Sequence, residues 1–226
     1  MKLCVIGGAG ARSAFLTKSL VKSARDIRVD HIVLLDNDQQ KLKTYGEISR
    51  ELARRLDPDL TFEVTSDARA ALTGVDYIIT TIRAGGDAGR LFDEQTCLAH
   101  GVLGQETTGA GGFAMAIRSV PTLVYYCTLA REVANPGHLI FNFTNPSGII
   151  TQALRSKGFD NVYGICDAPS GFIKQLEEIL EIPYGTLDIE CYGLNHLSWF
   201  RNAKVNGRDV QRELLDNPRT YEHSEM

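Results

Sequence analysis

Residues 2–8 read KLCVIGG, a short β-branched, apolar run stopped by two glycines. Residues 11–24 then read ARSAFLTKSLVKSA, where Phe15, Leu16, Leu20 and Val21 recur at helical spacing. A strand, a tight glycine turn and a helix in immediate succession open a βαβ unit, whose next strand returns parallel to the first by a right-handed crossover.

The chain keeps that alternation. HIVLLDND (31–38) reads as a second buried strand ending in acids, and QQKLKTYGEISRELARRL (39–56) as an amphipathic helix. FEVTS (62–66), the short helix DARAAL (67–72) and GVDYIITTI (74–82) complete the order βαβαβαβ. A long helix over 113–134, broken near Pro121, leads to the strand and turn HLIFNFTNP (138–146), the helix GIITQALRS (148–156) and a sixth strand, NVYGIC (161–166). Near-continuous apolar strands between helices predict an α/β fold, a Rossmann-like doubly wound and mostly parallel sheet covered on both faces. Ligands of such sheets lie at the carboxyl ends of the strands. After IKQLEEIL the pattern changes to the strand-like LDIECYGLNHLSWFRNAKV (187–205) and polar residues, the start of a second, α+β domain. The expected division is 1–168 for a dinucleotide-binding domain and 169–226 for the beginning of a catalytic and oligomerisation domain, truncated in this chain.

Charge and cysteine usage narrow the function. A formal net charge of −4 gives no basic footprint for nucleic acid or an anionic membrane surface, so neither is an expected partner. No stretch approaches the ~20 apolar residues of a membrane helix, and the opening residues lack the longer apolar core of a signal peptide. The five cysteines are scattered and odd in number, as for reduced thiols in the cytoplasm. Small-molecule chemistry is what remains.

Gly8, Gly10 and Ser13 match G-x-G-x-x-small between the first strand and its helix. Such glycines let backbone approach a pyrophosphate at a helix N-terminus, and Asp36, closing the second strand, can accept hydrogen bonds from an adenosine ribose. A carboxylate there repels a 2′-phosphate and points to NAD rather than NADP. A bare βα turn would use the same glycines. Arg83, after the fourth strand, is placed to hold an anionic substrate bidentately, or is a solvated loop charge. Gln105 and Glu106 lie in the glycine-rich GVLGQETTGAGG (101–112), which has the composition of a mobile lid. Asn145 precedes Pro146, where its amide can contact a nicotinamide or a substrate hydroxyl, or make an Asx turn. Cys166 ends the sixth strand and His196 follows in GLNHLSWF. Thiolate and imidazole together can bind a divalent transition metal with positions left for substrate oxygens, while a buried thiol and a hydrogen-bonded core histidine give the same pattern.

Taken in order, GGAGARSAFL, DND, IRAGG, GVLGQETTGAGG, FNFTNPSG, GICDAP and GLNHLSWF resemble glycoside hydrolase family 4 along the whole chain. These are NAD- and divalent-metal-dependent glycosidases, many acting on 6-phosphoglycosides, and they depart from two-carboxylate glycosidase chemistry. The resemblance implies that Cys166 and His196 ligate a metal, usually manganese. It also implies that Arg83 and Asn145 line the substrate pocket, that Gly8, Gly10 and Asp36 hold NAD, and that Asp167 protonates the leaving oxygen. Glu106 is implied as a second acidic member of the site. Aspartate at 167 is the residue of the 6-phospho-α-glucosidases, where the β enzymes have asparagine. The implied route is oxidation at C3, deprotonation at C2, elimination at C1, addition of water and return of the hydride. Family members are roughly twice this length and commonly dimers or tetramers. Their tyrosine base for C2 is expected beyond residue 226, since Tyr192 and Tyr221 sit in no matching motif. Other readings are a 2-hydroxy acid dehydrogenase, in which CDAP and GLNH have no role, and a non-catalytic NAD-binding fragment.

Overall fold

The structure, a computed structural model, describes residues 1–222. Strand β1 (Lys2–Ile6) leads to helix α1 (Ser13–Ser23) and strand β2 (His31–Leu35). The expected second helix is three pieces: α2 (Gln39–Lys41), a π-helical turn over Leu42–Gly46, and α3 (Glu47–Leu56). Asp38 caps its start by accepting from the amides of Gln40 and Lys41. Then follow β3 (Thr61–Thr65), α4 (Ala68–Leu72), β4 (Tyr77–Thr80), α5 (Gly86–Ala99), α6 (Gly109–Val133), β5 (Leu139–Asn142), α7 (Ser147–Ser156) and β6 (Val162–Gly164).

The six strands form one parallel sheet in the order β3-β2-β1-β4-β5-β6. Alternation along the strands divides the core. Cys4, Ile6, Val33, Leu35, Ile78 and Ile140 pack on one face with Leu72 of α4, Leu123 and Cys127 of α6, and Ile150 and Leu154 of α7. Leu3, Val5, Ile32 and Leu34 pack on the other with Val21 of α1 and Ala53 of α3. The strand order reverses between β1 and β4, and a ligand crevice belongs outside the carboxyl ends at that point.

Two expectations about α6 are corrected. The helix begins at Gly109 and runs unbroken past Pro121. Burial of Leu123, Cys127 and Ala130 against the sheet holds the helix across the missing proline donor. Among the described residues it is also one helix long and apolar enough to cross a membrane by length and composition, contrary to the expectation that no stretch approaches that length. Here its apolar side serves the core.

The chain divides into two compact units between Ile165 and Cys166, so that Cys166 and Asp167 go with the second unit and not with the sheet. Ile165 still donates its amide to Asn142 O at the edge of the sheet, whereas Asp167 O accepts from the amide of Gly171 at the start of α8 (Ala168–Ile179). The expected long strand is a hairpin of β7 (Leu187–Leu194) and β8 (Leu197–Val205), extended by β9 (Arg208–Asp209). Helices α9 (Gln211–Asp216) and α10 (Arg219–Glu222) follow. Leu176, Ile179, Leu187, Ala203, Val210 and Leu214 form this unit's core. Buried Glu177 fixes the entry to β7 by accepting from the amides of Thr186 and Leu187 at 2.8 and 3.0 Å.

Candidate functional site

The turn between β1 and α1 assigns different work to its glycines. Gly7 has φ +85°, and a Cβ there would lie 2.7 Å from Thr81 O. At Gly8 a Cβ would lie 2.9 Å from Leu34 Cβ and 3.0 Å from Val5 O. Both are glycine because the turn lies against the sheet. At Gly10 nothing stands within 4 Å of such a Cβ, so that backbone faces open space. Ser13 is buried, and its hydroxyl donates to Gly10 O at 2.6 Å, which closes the turn. Arg12 makes no side-chain cap; the amide of Ser13 donates to Gly10 O at 3.0 Å, and the next amides of α1 are the ones the turn offers a ligand. Asp36 accepts from the amides of Ala9 and Asp38 at 3.1 Å each and so ties the end of β2 to the turn. This set of donors, open backbone and carboxylate fits a dinucleotide.

A second group gathers beyond β4 and β5. Glu106, with 17% of its side chain exposed, places Oε2 3.0 Å from Arg83 Nη2 and 3.5 Å from Arg90 Nη1, while Oε1 accepts from Asn145 Nδ2 at 3.4 Å. Buried Oε2 has charged neighbours but no aligned hydrogen bond. Arg83 also donates to Asp87, and Arg90 to Glu94 at 2.7 Å, which raises the Arg90 pKa. The sequence-predicted residues Arg83, Glu106 and Asn145 are thus neighbours.

Three of the five glycines in segment 101–112 sit where packing is tight: a Cβ at Gly104 would lie 2.6 Å from Glu94 Cα, at Gly111 2.7 Å from Gln105 O, and at Gly112 2.7 Å from Thr107 O, whereas at Gly101 and Gly109, both with positive φ, it would meet nothing within 4 Å. Gln105 Oε1 accepts from the amides of Thr107 and Thr108, the latter at 2.7 Å, and anchors the bend before α6.

Behind this group lies a buried polar network. Asn142, fully buried, accepts from Thr80 Oγ1 at 2.8 Å and donates to Thr144 O, Ser147 O and Thr151 Oγ1. Thr144 Oγ1 accepts from the amide of Ile82 at 3.1 Å. The strand ends carrying Arg83 and Asn145 are therefore joined by direct side-chain hydrogen bonds. The bond Asn145–Pro146 is cis.

In the second unit Cys166 Sγ stands 3.8 Å from His196 Nε2 and 3.9 Å from Asp167 Oδ1. Cys166 is half-buried, whereas Asp167 and His196 are exposed. His196 is the second of two residues joining β7 to β8, and its φ of +61° is a left-handed conformation in which non-glycine residues are uncommon. Among the described residues no three or more His, Cys, Asp or Glu converge as metal ligands. The pair itself, a thiol and an imidazole 3.8 Å apart, suits one divalent transition metal by the chemistry of its donors.

Sequence reasoning passed over Gly7, Arg90 and Asn142. Arg90 has the spacing of a surface i,i+4 pair with Glu94, and Asn142 reads as one polar residue in an apolar strand. Only the second carried a signal, since a polar side chain in a strand buried on both faces needs partners.

The family model for Family 4 glycosyl hydrolases matches residues 2–182. The 6-phospho-beta-glucosidase BglT of Thermotoga maritima is 35% identical over 219 residues, covering 96% of this chain and 51% of that protein. The phospho-alpha-glucosidase PagL of Clostridium acetobutylicum is 32% identical over 225 residues, covering 96% and 50%. A crystal structure of the T. maritima 6-phospho-beta glucosidase with manganese, NAD+ and glucose-6-phosphate superposes with a TM-score of 0.88 at 34% identity, covering 96% of this chain and 52% of that one. A lactate dehydrogenase from Eimeria maxima, TM-score 0.67 and 13% identical, shares the fold alone. The chain spans about half the length of the curated relatives it matches. With a family model matching residues 2–182 of its 226, the chain belongs to family 4 of the glycosyl hydrolases.

Proposed function

We propose that this chain carries the dinucleotide- and metal-binding portion of an NAD- and manganese-dependent 6-phospho-glucosidase, which opens the glycosidic bond by oxidation at C3, deprotonation at C2 and elimination at C1. The observation that carries the reading is the 3.8 Å approach of Cys166 to His196, on a chain whose first strand ends in an open glycine turn. The substrate class follows the names of the relatives and the glucose-6-phosphate, NAD+ and manganese held by the T. maritima enzyme. When bound, NAD supplies a reversible hydride acceptor and the ion supplies Lewis acidity toward the C2 and C3 oxygens.

The chain's own residues do the rest. Gly8, Gly10 and the first turn of α1 take the pyrophosphate, Ser13 keeps the turn closed, and Asp36 accepts from the adenosine ribose. Arg83 holds the anionic substrate, and Asn145 contacts it or the nicotinamide. Cys166 and His196 are the metal ligands. Asp167, exposed beside Cys166, donates a proton to the leaving oxygen as general acid. Glu106 is the second acidic member of the site, held between Arg83 and Arg90 and bonded to Asn145. Aspartate at 167 favours the α-anomer. No residue of this chain is assigned as the C2 base. We place the enzyme in the cytoplasm, as its five unpaired thiols suit, and expect a dimer or tetramer at full length.

The test is hydrolysis of nitrophenyl α- and β-glucoside 6-phosphates with and without NAD and manganese, on this chain and on one extended to the length of its relatives. The expected result is hydrolysis by the extended chain that needs both cofactors and prefers the α-anomer. Hydrolysis without either cofactor, or NAD reduction with 2-hydroxy acids and no hydrolysis, would overturn the proposal.

A further inference from the structure

We propose that Arg118 is a positioning residue for the anion-binding part of the site, holding the 83–86 turn so that Arg83 meets the substrate. The inference rests on the reading of Arg83 given above.

Arg118 lies on α6 and Asp93 on α5. The guanidinium donates through both Nη atoms to the two carboxylate oxygens of Asp93, with Nη1 to Oδ1 at 2.9 Å, and through Nε to Ala84 O at 3.3 Å. One planar group thus links a helix carboxylate to the carbonyl directly after Arg83, a geometry that a lysine ammonium cannot copy. Asp93 is 7% exposed and needs this partner. Its carboxylate in turn raises the Arg118 pKa, so the brace stays charged.

The glycines of IRAGGDAG follow from that contact. Gly85 has φ +86°, and a Cβ there would lie 3.0 Å from Arg118 Nε; at Gly89 it would lie 3.5 Å from Nε. Both leave the guanidinium room to lie along the turn, which is closed by Gly86 N donating to Arg83 O at 3.0 Å. The helix that starts there carries Arg90 and, three residues on, Asp93. A single partly buried ion pair therefore sets the positions of both cations around Glu106. A brace needed only for stability would not have to touch the residue next to Arg83.

The experiment measures binding of glucose 6-phosphate and of inorganic phosphate to this chain by calorimetry, with NAD affinity and melting temperature taken on the same samples. R118K is expected to weaken glucose 6-phosphate binding at least about tenfold and leave NAD affinity within about twofold. D93N, which keeps the side chain's shape, is expected to act in the same direction, and it decides the matter alone if R118K does not fold. On an R83A background, R118K is expected to change sugar-phosphate affinity by less than about twofold, because Arg118 acts through Arg83. A lowered melting temperature with unchanged glucose 6-phosphate affinity would make Arg118 a structural brace only and overturn the inference. If the unsubstituted chain binds NAD but neither anion, the reading of Arg83 falls and takes this one with it.

Discussion

Gly8→Ala and Gly10→Ala are chemically the same change two residues apart, and the structure gives them opposite consequences. At Gly8 the new methyl would stand 2.9 Å from Leu34 Cβ, 3.0 Å from Val5 O and 3.1 Å from Leu34 Cα. Two of these atoms belong to strand backbone that cannot move without breaking the sheet. Overpacking of this kind costs ~1–3 kcal/mol, which for a chain of this size lowers the melting temperature by about 2–12 °C. At Gly10 the methyl meets nothing, and φ lies outside the left-handed region, so the native backbone admits alanine. Stability there is expected to stay level or rise by ~0.4–1 kcal/mol through the stiffer unfolded chain. The open space at Gly10 is, on the proposed function, where the pyrophosphate approaches. A methyl there removes about one charge-assisted hydrogen bond of ~1.5–3 kcal/mol, a loss of about ten- to more than a hundredfold in NAD affinity. Thermal melts followed by circular dichroism at the helix bands and NAD titrations by calorimetry separate the two effects. Unchanged NAD affinity in G10A would refute the assignment of that glycine to the ligand, and an unchanged melt in G8A would refute the packing argument.

C166S and H196A are each expected to weaken manganese binding, read by electron paramagnetic resonance, at least about tenfold, with NAD affinity unaltered because the glycine turn belongs to the other unit. N142A removes a side chain with four hydrogen bonds and leaves the Thr80 hydroxyl without its acceptor; a loss of about 2–4 kcal/mol is expected in urea denaturation. Burial pushes the thiols of Cys4 and Cys127 up to about 12, so at pH 8 a thiol reagent is expected to reach Cys166 and Cys191 rapidly and those two only on unfolding. The same burial makes stability fall with alkali. The unfolded thiols ionise near ~8.5 while the folded ones stay protonated, so the unfolded state binds fewer protons between about pH 8.5 and 12. A urea midpoint at pH 10 equal to that at pH 8 would contradict this.

The sheet was legible in the sequence because its strands are buried on both faces. Runs such as Ile32-Val33-Leu34-Leu35 have no polar side to confuse with a surface element, and the helices between them show their own period. The contents of the turns were less legible. Which of three neighbouring glycines serves packing depends on Thr81 and Leu34, and no local pattern reports that distance. The π-helical turn at 42–46 was hidden likewise, since Gly46 is required by Val64, whose Cγ1 would lie 2.5 Å from a Cβ there. The hairpin at Asn195 and His196 lacks the glycine that marks such turns, so its sequence has the pattern of continuous strand. Arg83, Glu106 and Asn145 were each visible as candidates, but their convergence comes from the ends of β4 and β5 and from the bend before α6, joined through Asn142 and Thr144.

Three of the positions assigned to binding carry features that packing does not account for. A left-handed histidine at a hairpin tip costs of order 1–3 kcal/mol, and nothing in the core of the second unit requires it, since Ala203, Val210 and Leu214 lie elsewhere. Glu106 keeps a buried oxygen among cations without an aligned donor, and Asn195, next to His196, has a buried side-chain oxygen with no hydrogen-bond partner. Gly10 leaves backbone open where the adjacent Gly8 is packed. A fold selected for stability alone would fill each of these with a better-satisfied residue, as it does at Ser13, Asn142 and Glu177. The frame carries departures of the same kind, in the positive φ of Arg28 and Glu181 and the unpartnered buried hydroxyls of Thr17, Ser49 and Ser119, so strain or an orphaned atom alone does not mark a binding position; what distinguishes His196, Glu106 and Gly10 is that each stands beside other residues assigned to metal, substrate or dinucleotide.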